Sequence, residues 1–109
     1  MICQDLDAPL GIWVHWVVFN IPASTHELGQ GVASDEVLSG GAQQGMNDFQ
    51  GIGYGGPCPP IGQSHRYEFK IYALDTILSL GGVMTKDKLI IAMEGHVLGE
   101  AKLTGRFKR

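Results

Sequence analysis

The chain has 109 residues, a net charge of −3 at pH 7 and a charged fraction of 17%. This length suits one domain with a single hydrophobic core, which we assign to residues 1–109. Eight Lys and Arg residues leave no basic excess, so the composition excludes nucleic acid as a partner, and no apolar run is long enough to span a membrane. We interpret the basic end, residues 106–109, as a solvated tail without a role. The first residues show no secretory pattern, so we expect a cytoplasmic protein.

The first half of the chain predicts two strands and a long connection. Residues 1–4 indicate the end of a strand, and Trp13–Phe19 is an aromatic and β-branched run interrupted only by His15. Such a run is typical of a strand buried on both faces. Residues 20–44 then mix Pro, Ser, Gly and charged residues, which predicts a long loop of the kind that shapes binding sites.

The second half predicts a loop, two strands and a helix. Glycine and proline dominate residues 51–62, which forbids regular structure there. Residues 65–74 and 98–107 alternate apolar and polar side chains as strands do, and Thr85 is placed to cap a short helix that ends near Gly95. Strands without a regular β-α-β order predict a mainly β, antiparallel protein with one helix packed on the sheet.

Three segments each carry a pair of polar or aromatic side chains two residues apart. Side chains at this spacing project to the same face of an extended chain. Singly, each pair has an ordinary structural explanation, such as a turn or a hydrogen-bonded core histidine, but three such pairs predict one shared pocket. Two carboxylates on one face would also raise each other's pKa. The pairs are Asp5 with Asp7, Trp13 with His15, and His65 with Tyr67.

Other kinds of site fit the sequence less well. Gly51, Gly53 and Gly56 match Gly-x-Gly-x-x-Gly, but prolines follow them where a dinucleotide fingerprint needs a helix. The loop can still form an anion-binding nest, or a purely structural turn. We predict no cofactor and no metal, because the histidines and cysteines lack ligand spacings. Ser64 is not in a nucleophile elbow.

Cys3 and Cys58 are too few for a disulfide scaffold or for a zinc site built on thiolates alone. We expect free thiols. A Cys3–Cys58 bridge is the alternative, because both residues flank segments that we expect to meet at the pocket.

Four blocks of the sequence resemble a known family. In order and spacing they are similar to the signature blocks of the phosphatidylethanolamine-binding proteins, described in bacteria and archaea as Raf kinase inhibitor-like proteins. Residues 73–76 and 92–96 resemble the prokaryotic branch, and the resemblance covers essentially the whole chain. The four blocks are Asp5-Leu6-Asp7-Ala8-Pro9, Trp13-Val14-His15-Trp16, Gly56-Pro57-Cys58-Pro59-Pro60-Ile61-Gly62 and His65-Arg66-Tyr67.

The resemblance implies an antiparallel β-sandwich with one helix near the C-terminus. It also implies a small cavity that accepts phosphate, acetate or phosphorylated head groups. The protein would then be a binding protein rather than an enzyme, with a kinase or a protease as the partner that it modulates. The ligand-binding positions carried over from the family are Asp5, Asp7, Trp13, His15, Gly56, Pro60, His65 and Tyr67.

Two features depart from the family pattern. Leu6 stands where the family usually has Pro, which we expect to loosen that segment. Family members also carry early strands ahead of the block that begins at Asp5, so we expect a domain that is truncated at its N-terminus. An uncovered sheet edge promotes self-association, and we therefore expect a homo-oligomer.

Asp5 and Asp7 would repel an anion unless a positive charge offsets theirs. If one of them accepts a hydrogen bond from His15 or His65, it favours the charged imidazole, whose far nitrogen then donates to the anion. We therefore expect tighter binding on the acidic side of neutrality. The alternative is a hydrolase in which an Asp–His pair acts as general acid and base.

Overall fold

The computed structural model describes residues 1–79 and 82–109. The elements in chain order are β1 (Ile2–Asp5), β2 (Trp13–Phe19), β3 (Gln43–Gln44), β4 (Ser64–Leu74), α1 (Lys86–Met93) and β5 (Val97–Lys108). The strands form one five-stranded sheet in the order β3-β2-β1-β4-β5, with antiparallel neighbours throughout. The prediction of a mainly β, antiparallel fold with one helix is confirmed. The described residues form no second sheet, and the connection that follows β2 packs on one face of this one.

Each face of the sheet carries its own hydrophobic cluster. On one face α1 packs against β1 and β2, and on the other the connection that follows β2 packs against them. The central strand β2 is therefore buried on both faces, as its unbroken apolar run predicts. The buried members are Ile2, Val14, Val17, Leu78, Met84, Leu89 and Met93 under the helix, and Cys3, Trp16, Val18 and Ala42 under the loops.

The helix begins and ends where the sequence predicts. The Thr85 hydroxyl accepts a hydrogen bond from the Lys88 amide at 3.3 Å, which satisfies one of the free donors of the first turn. At the other end Gly95 takes a positive φ of 78°, and the His96 amide donates to the Met93 carbonyl. No helix in residues 1–79 and 82–109 combines the length and the apolar character that a membrane crossing needs.

A β-bulge changes the direction of side chains in β2. Cys3 lies opposite Trp16 and Gln4 lies opposite Val14, so His15 is the extra residue of β2 at the point where the register shifts. A bulge of this kind interrupts the strict alternation of faces. Trp16 consequently lies on the same sheet face as Cys3, and the adjacent His15 packs against Tyr67 on that face.

The alternation predicted for β4 describes burial in the first half of the strand only. His65 and Tyr67 are buried, but Glu68 on the other face is buried too, and Ile71 is 49% exposed. The reason is that β1 is short. Its first residue, Ile2, lies opposite Lys70, so the rest of β4 pairs with β5 alone. Sequence alternation could not reveal where that neighbour stops.

Candidate functional site

A buried carboxylate–imidazole pair joins β1 to β4. Asp5 Oδ2 lies 2.7 Å from His65 Nδ1, and both side chains are almost fully buried. Sheet register explains the contact, because Asp5 lies opposite Tyr67 and His65 is two residues from Tyr67 on the same face. The second carboxylate oxygen, Oδ1, accepts the Asp7 amide at 2.8 Å. Both oxygens of Asp5 are therefore held, and the His65 ring is fixed with Nε2 pointing away from Asp5.

The second histidine is held by the glycine-rich loop. His15 Nδ1 lies 2.6 Å from the Gly55 carbonyl oxygen, and the Gly55 amide donates to the His15 carbonyl at 2.9 Å. A carbonyl only accepts, so Nδ1 carries the proton and the neutral ring offers Nε2 as an acceptor. The rings of Tyr67 and Phe49 pack edge-on against His15, with centroid distances of 5.3 and 5.2 Å.

Phe49 is a site residue that the sequence reasoning missed. Its ring lies between His15 and Trp13, 5.5 Å from the Trp13 ring. The loop that carries Phe49 is tied to β2, because the Val14 amide donates to Asp48 Oδ2 and the Asp48 amide donates to the Val14 carbonyl. The signal available in the sequence was a lone aromatic residue in a polar segment, which does not identify a partner.

The glycine that the site requires is Gly55 rather than Gly56. A Cβ at Gly55 would lie 2.5 Å from Phe49 Cδ2, closer than side-chain atoms approach one another, whereas a Cβ at Gly56 would meet nothing within 4 Å. Gly56 is exposed, and its neighbour Gly55 makes both backbone contacts with His15. The family pattern indicates this loop, and within it a side chain at Gly55 would collide with Phe49 whereas one at Gly56 would not.

The pair of Asp5 and His65 opens onto a cleft of about 330 Å³. Five of the eight predicted ligand-binding residues line this cleft, and Asp7, Gly56 and Tyr67 do not. Tyr67 faces a smaller cleft of about 170 Å³ that shares the His15 ring as a wall. The lining residues of the larger cleft are Asp5, Ala8, Pro9, Leu10, Trp13, His15, Phe49, Cys58, Pro59, Pro60 and His65.

Asp7 lies outside the cleft and is neutralised there. The Arg66 guanidinium forms a two-pronged ion pair with it, Nε to Oδ2 at 2.9 Å and Nη2 to Oδ1 at 2.8 Å, and the Arg66 amide also donates to Oδ2. These contacts hold the pKa of Asp7 well below its ordinary value. The expectation that Asp5 and Asp7 share a face and raise each other's pKa is therefore wrong for Asp7, because β1 ends at Asp5 and the chain then bends.

Leu6 ties this segment to the sheet. Its amide donates to the Arg66 carbonyl at 2.9 Å, a bond that proline has no N–H to form. This hydrogen bond opposes the loosening that we expect from Leu6.

The Tyr67 hydroxyl is a buried donor without a hydrogen-bond partner among the described residues. Burial, followed by the negative charge of Asp5, raises the pKa of Tyr67 to about 12. The hydroxyl is therefore protonated throughout the physiological range. A buried polar group left unpaired destabilises the fold by about 1–3 kcal/mol, so such groups commonly mark a binding or catalytic site.

The cysteines are free, with Cys3 buried and Cys58 exposed. Arg109 lies beside Cys58, with its Nη1 3.3 Å from Cys58 Sγ and 3.4 Å from the Pro59 carbonyl. This places a guanidinium at the rim of the cleft. The expectation of a solvated tail is wrong for residues 106–108, because they belong to β5. Within residues 1–79 and 82–109, His, Cys, Asp and Glu side chains form no group of three or more that could hold a metal ion.

Comparison with known sequences finds relatives over the whole chain. The profile of the family described as phosphatidylethanolamine-binding protein matches residues 1–108. A UPF0098 protein of Methanothermobacter thermautotrophicus is 51% identical over 109 residues, covering all of this chain and 72% of the relative. A UPF0098 protein of Pyrococcus abyssi is 43% identical, and the chain spans 62% of its length. One from Archaeoglobus fulgidus is 41% identical, and the chain spans 37% of it.

Two solved structures share the fold. One is a putative phosphatidylethanolamine-binding protein homologue, CT736 of Chlamydia trachomatis, with a TM-score of 0.87 and 38% identity. The other is Escherichia coli YbcL, described as a member of the mammalian family of these proteins, with a TM-score of 0.85 and 34% identity. Each comparison covers 99% of this chain and 69% of the solved chain.

Proposed function

The chain belongs to the phosphatidylethanolamine-binding protein family, and from this premise we propose that its 330 Å³ cleft binds a small anion or a phosphorylated head group. The observation that carries the proposal is the buried pair of Asp5 and His65 at the cleft wall. Among the described residues, His65 Nε2 has one weak contact, 3.3 Å to the amide oxygen of the exposed Gln63. An oxygen of the ligand can replace the Gln63 amide oxygen and accept a hydrogen bond from His65 Nε2.

The charges around the cleft support an anion despite the buried carboxylate. Asp7 is turned outward and paired with Arg66, so Asp5 is the one acidic residue that lines the cleft in the described part of the chain. The imidazole of His65 lies against Asp5 and offsets its charge when it is protonated, and the Arg109 guanidinium at the rim adds a positive charge. The positive charges of His65 and Arg109 attract an anion, and this attraction is stronger in a partly buried cleft than in water.

Hydrolysis is the alternative function, and one residue of the cleft favours it. Cys58 lines the same cleft as Asp5 and His65, so a nucleophile, a base and an orienting carboxylate share one space. We nevertheless propose binding, because the thiol accepts from Arg109 and has no hydrogen bond to either histidine of the cleft among the described residues. Ester hydrolysis that disappears in Cys58→Ser would favour the enzyme.

The test is a titration with phosphate and with phosphoethanolamine, followed by amide chemical shifts in NMR spectra. We expect saturable shifts at His15, His65 and neighbouring loop residues, and an affinity reduced at least about tenfold in His65→Ala, because a charge-assisted hydrogen bond contributes roughly 1.5–3 kcal/mol. Stronger binding of phosphoethanolamine than of phosphate would identify a head group rather than the free anion as the preferred ligand.

The matched control is His96→Ala. His96 forms an equally short bond to an aspartate, Nδ1 to Asp75 Oδ1 at 2.7 Å, but this pair is half exposed and lies outside the cleft. This variant should bind phosphate as the wild type does. A well-dispersed spectrum without ligand shifts, or an equal loss of affinity in both variants, would contradict the proposal.

Binding should strengthen as the pH falls from about 8 to about 6, because the anion is held by protonated imidazole. Sulfate is the better probe for this experiment, since its charge does not change over the range whereas that of phosphate does. Affinity for sulfate that rises with pH would contradict the proposed role of the histidines.

Modulation of a kinase or a protease remains a prediction from the family resemblance, and a cytoplasmic location remains a prediction from the sequence of the first residues. The His65→Ala variant separates two forms of such an effect. Inhibition that depends on the cleft would be lost in the variant, and inhibition through the surrounding surface would be retained.

A further inference from the structure

The two histidines of the cleft have the same ring nitrogen engaged. His15 Nδ1 lies 2.6 Å from the Gly55 carbonyl oxygen, and His65 Nδ1 lies 2.7 Å from Asp5 Oδ2. A carbonyl oxygen and a carboxylate oxygen both accept hydrogen bonds, so Nδ1 carries the proton in each ring. In the neutral form of each imidazole the other nitrogen, Nε2, is therefore a hydrogen-bond acceptor.

Nε2 is the ring atom that is left for a ligand. His15 Nε2 has no hydrogen-bond partner among the described residues, and its ring lines the cleft. His65 Nε2 has its weak contact with Gln63, whose amide can present its NH2 group to a neutral ring and its oxygen to a protonated one. A ligand that replaces Gln63 on a neutral ring must therefore donate a hydrogen bond.

The charged and titratable groups around the two rings leave this acceptor character in place. Asp5 has both oxygens engaged, by His65 and by the Asp7 amide. Tyr67 packs against His15 and keeps its proton throughout the physiological range. The two groups at the rim, Cys58 and Arg109, contact each other.

We propose that the cleft prefers an oxyanion that carries a proton of its own, such as hydrogen phosphate, over an equally charged oxyanion that carries none, such as sulfate. This inference rests on the proposed anion site and concerns the class of its ligand. A P–OH group donates to one Nε2, while other oxygens of the same ligand accept from a ring that is protonated. Sulfate has acceptors alone, so each imidazole that it contacts must first take up a proton, and near pH 8 this uptake weakens binding.

Phosphate and sulfate form a matched pair of probes at pH 8. Both are tetrahedral and predominantly doubly charged there, but phosphate retains a proton and sulfate does not. In NMR titrations we expect phosphate to bind at least about tenfold more tightly, because sulfate places an acceptor opposite an acceptor. Lowering the pH to 6 should strengthen sulfate binding as the rings become protonated. Arsenate, which retains a proton at pH 8, should behave as phosphate does, and selenate, which retains none, as sulfate does.

Proton uptake on binding gives a second measurement on the unmodified protein. Isothermal titration calorimetry in buffers of different ionisation enthalpy counts the protons that enter the complex. At pH 8 sulfate should take up about one proton more than phosphate does, because phosphate supplies that proton itself.

Asp5→Asn should reverse the role of His65. Asp5 Oδ1 accepts the Asp7 amide, so the amide oxygen of the asparagine is needed at that position, and its NH2 group takes the place of Oδ2. The NH2 group then donates to His65 Nδ1, and the proton of the neutral ring must move to Nε2. We expect ¹⁵N shifts of the ring to report this move, and the ratio of phosphate to sulfate affinity at pH 8 to fall towards one.

The matched control is Asp75→Asn, which changes the half-exposed pair with His96 outside the cleft and should keep the wild-type ratio. Saturable shifts with equal affinities for phosphate and sulfate at pH 8 would leave the anion site in place and overturn this inference. An Asp5→Asn variant that moves the proton to Nε2 and yet retains the full preference would also overturn it. An absence of saturable shifts with all four anions would instead contradict the proposed function, and this inference with it.

Discussion

Replacing Gly55 by alanine adds one methyl group where the structure has no room for it. The new Cβ would lie 2.5 and 2.6 Å from Cδ2 and Cε2 of Phe49, so the ring must move. Phe49 is 48% exposed and can swing towards solvent, but it would then lose its edge-on contacts with Trp13 and His15. Aromatic contacts of this kind contribute about 0.5–1.5 kcal/mol each. We therefore expect Gly55→Ala to lower the free energy of unfolding by about 1–2 kcal/mol.

Urea denaturation followed by tryptophan fluorescence measures this change, and a phosphate titration measures the damage to the cleft wall. The adjacent Gly56→Ala is the matched control, because its Cβ would meet nothing within 4 Å and its φ is not positive. This control should change stability by less than about 0.5 kcal/mol. Equal effects of the two substitutions would refute the assignment of Phe49 as a wall that depends on Gly55.

Two further predictions concern the cysteines and the outward ion pair. Burial raises the pKa of Cys3 to about 12, so iodoacetamide should label the exposed Cys58 in the native protein and Cys3 only after unfolding; native labelling of both would contradict the burial of Cys3. Arg66 holds the pKa of Asp7 below its ordinary value of 3.8, so the Asp7 carboxyl takes up a proton less readily in the folded chain than in the unfolded chain. The ion pair therefore stabilises the fold at pH values above 3.8, and this stabilisation is lost as the pH falls through the lowered pKa. Asp7→Asn should therefore be less stable than wild type at neutral pH, with the two unfolding free energies converging in acid; a difference that does not vary with pH would contradict this.

Local sequence patterns were sufficient for the longer elements of the fold but not for their burial, nor for the short strand β3, which lies at the end of the predicted loop over residues 20–44. The unbroken run of β2 and the cap at Thr85 each depend on residues next to one another, and both predictions are confirmed. The burial along β4 depends on where β1 ends, and the sheet face of Trp16 depends on a bulge at His15. These properties arise from pairing between distant segments, which no local periodicity records.

The site could be predicted to the level of its segments. Asp5, Trp13, His15, Pro60 and His65 all line the cleft, as the family pattern implies. The remaining lining comes from residues that the pattern does not mark, such as Phe49 and Cys58, and Arg109 lies at its rim. Their positions follow from loop hydrogen bonds and from the last strand, so the sequence alone could not connect them to the histidines.

The opposite environments of Asp5 and Asp7 explain how two neighbouring carboxylates could belong to the proposed anion site. The bend after β1 turns Asp7 towards Arg66, while the Asp7 amide donates to Asp5 and helps to hold it against His65. Asp7 therefore acts on the cleft through its backbone, and its charge is neutralised on the outer surface. A single buried carboxylate, fully engaged by two donors, then orients the imidazole without presenting a free oxygen to the ligand. On this argument Asp5→Asn should reduce phosphate affinity by disturbing His65, whereas Asp7→Asn, which keeps the backbone donor, should leave that affinity nearly unchanged.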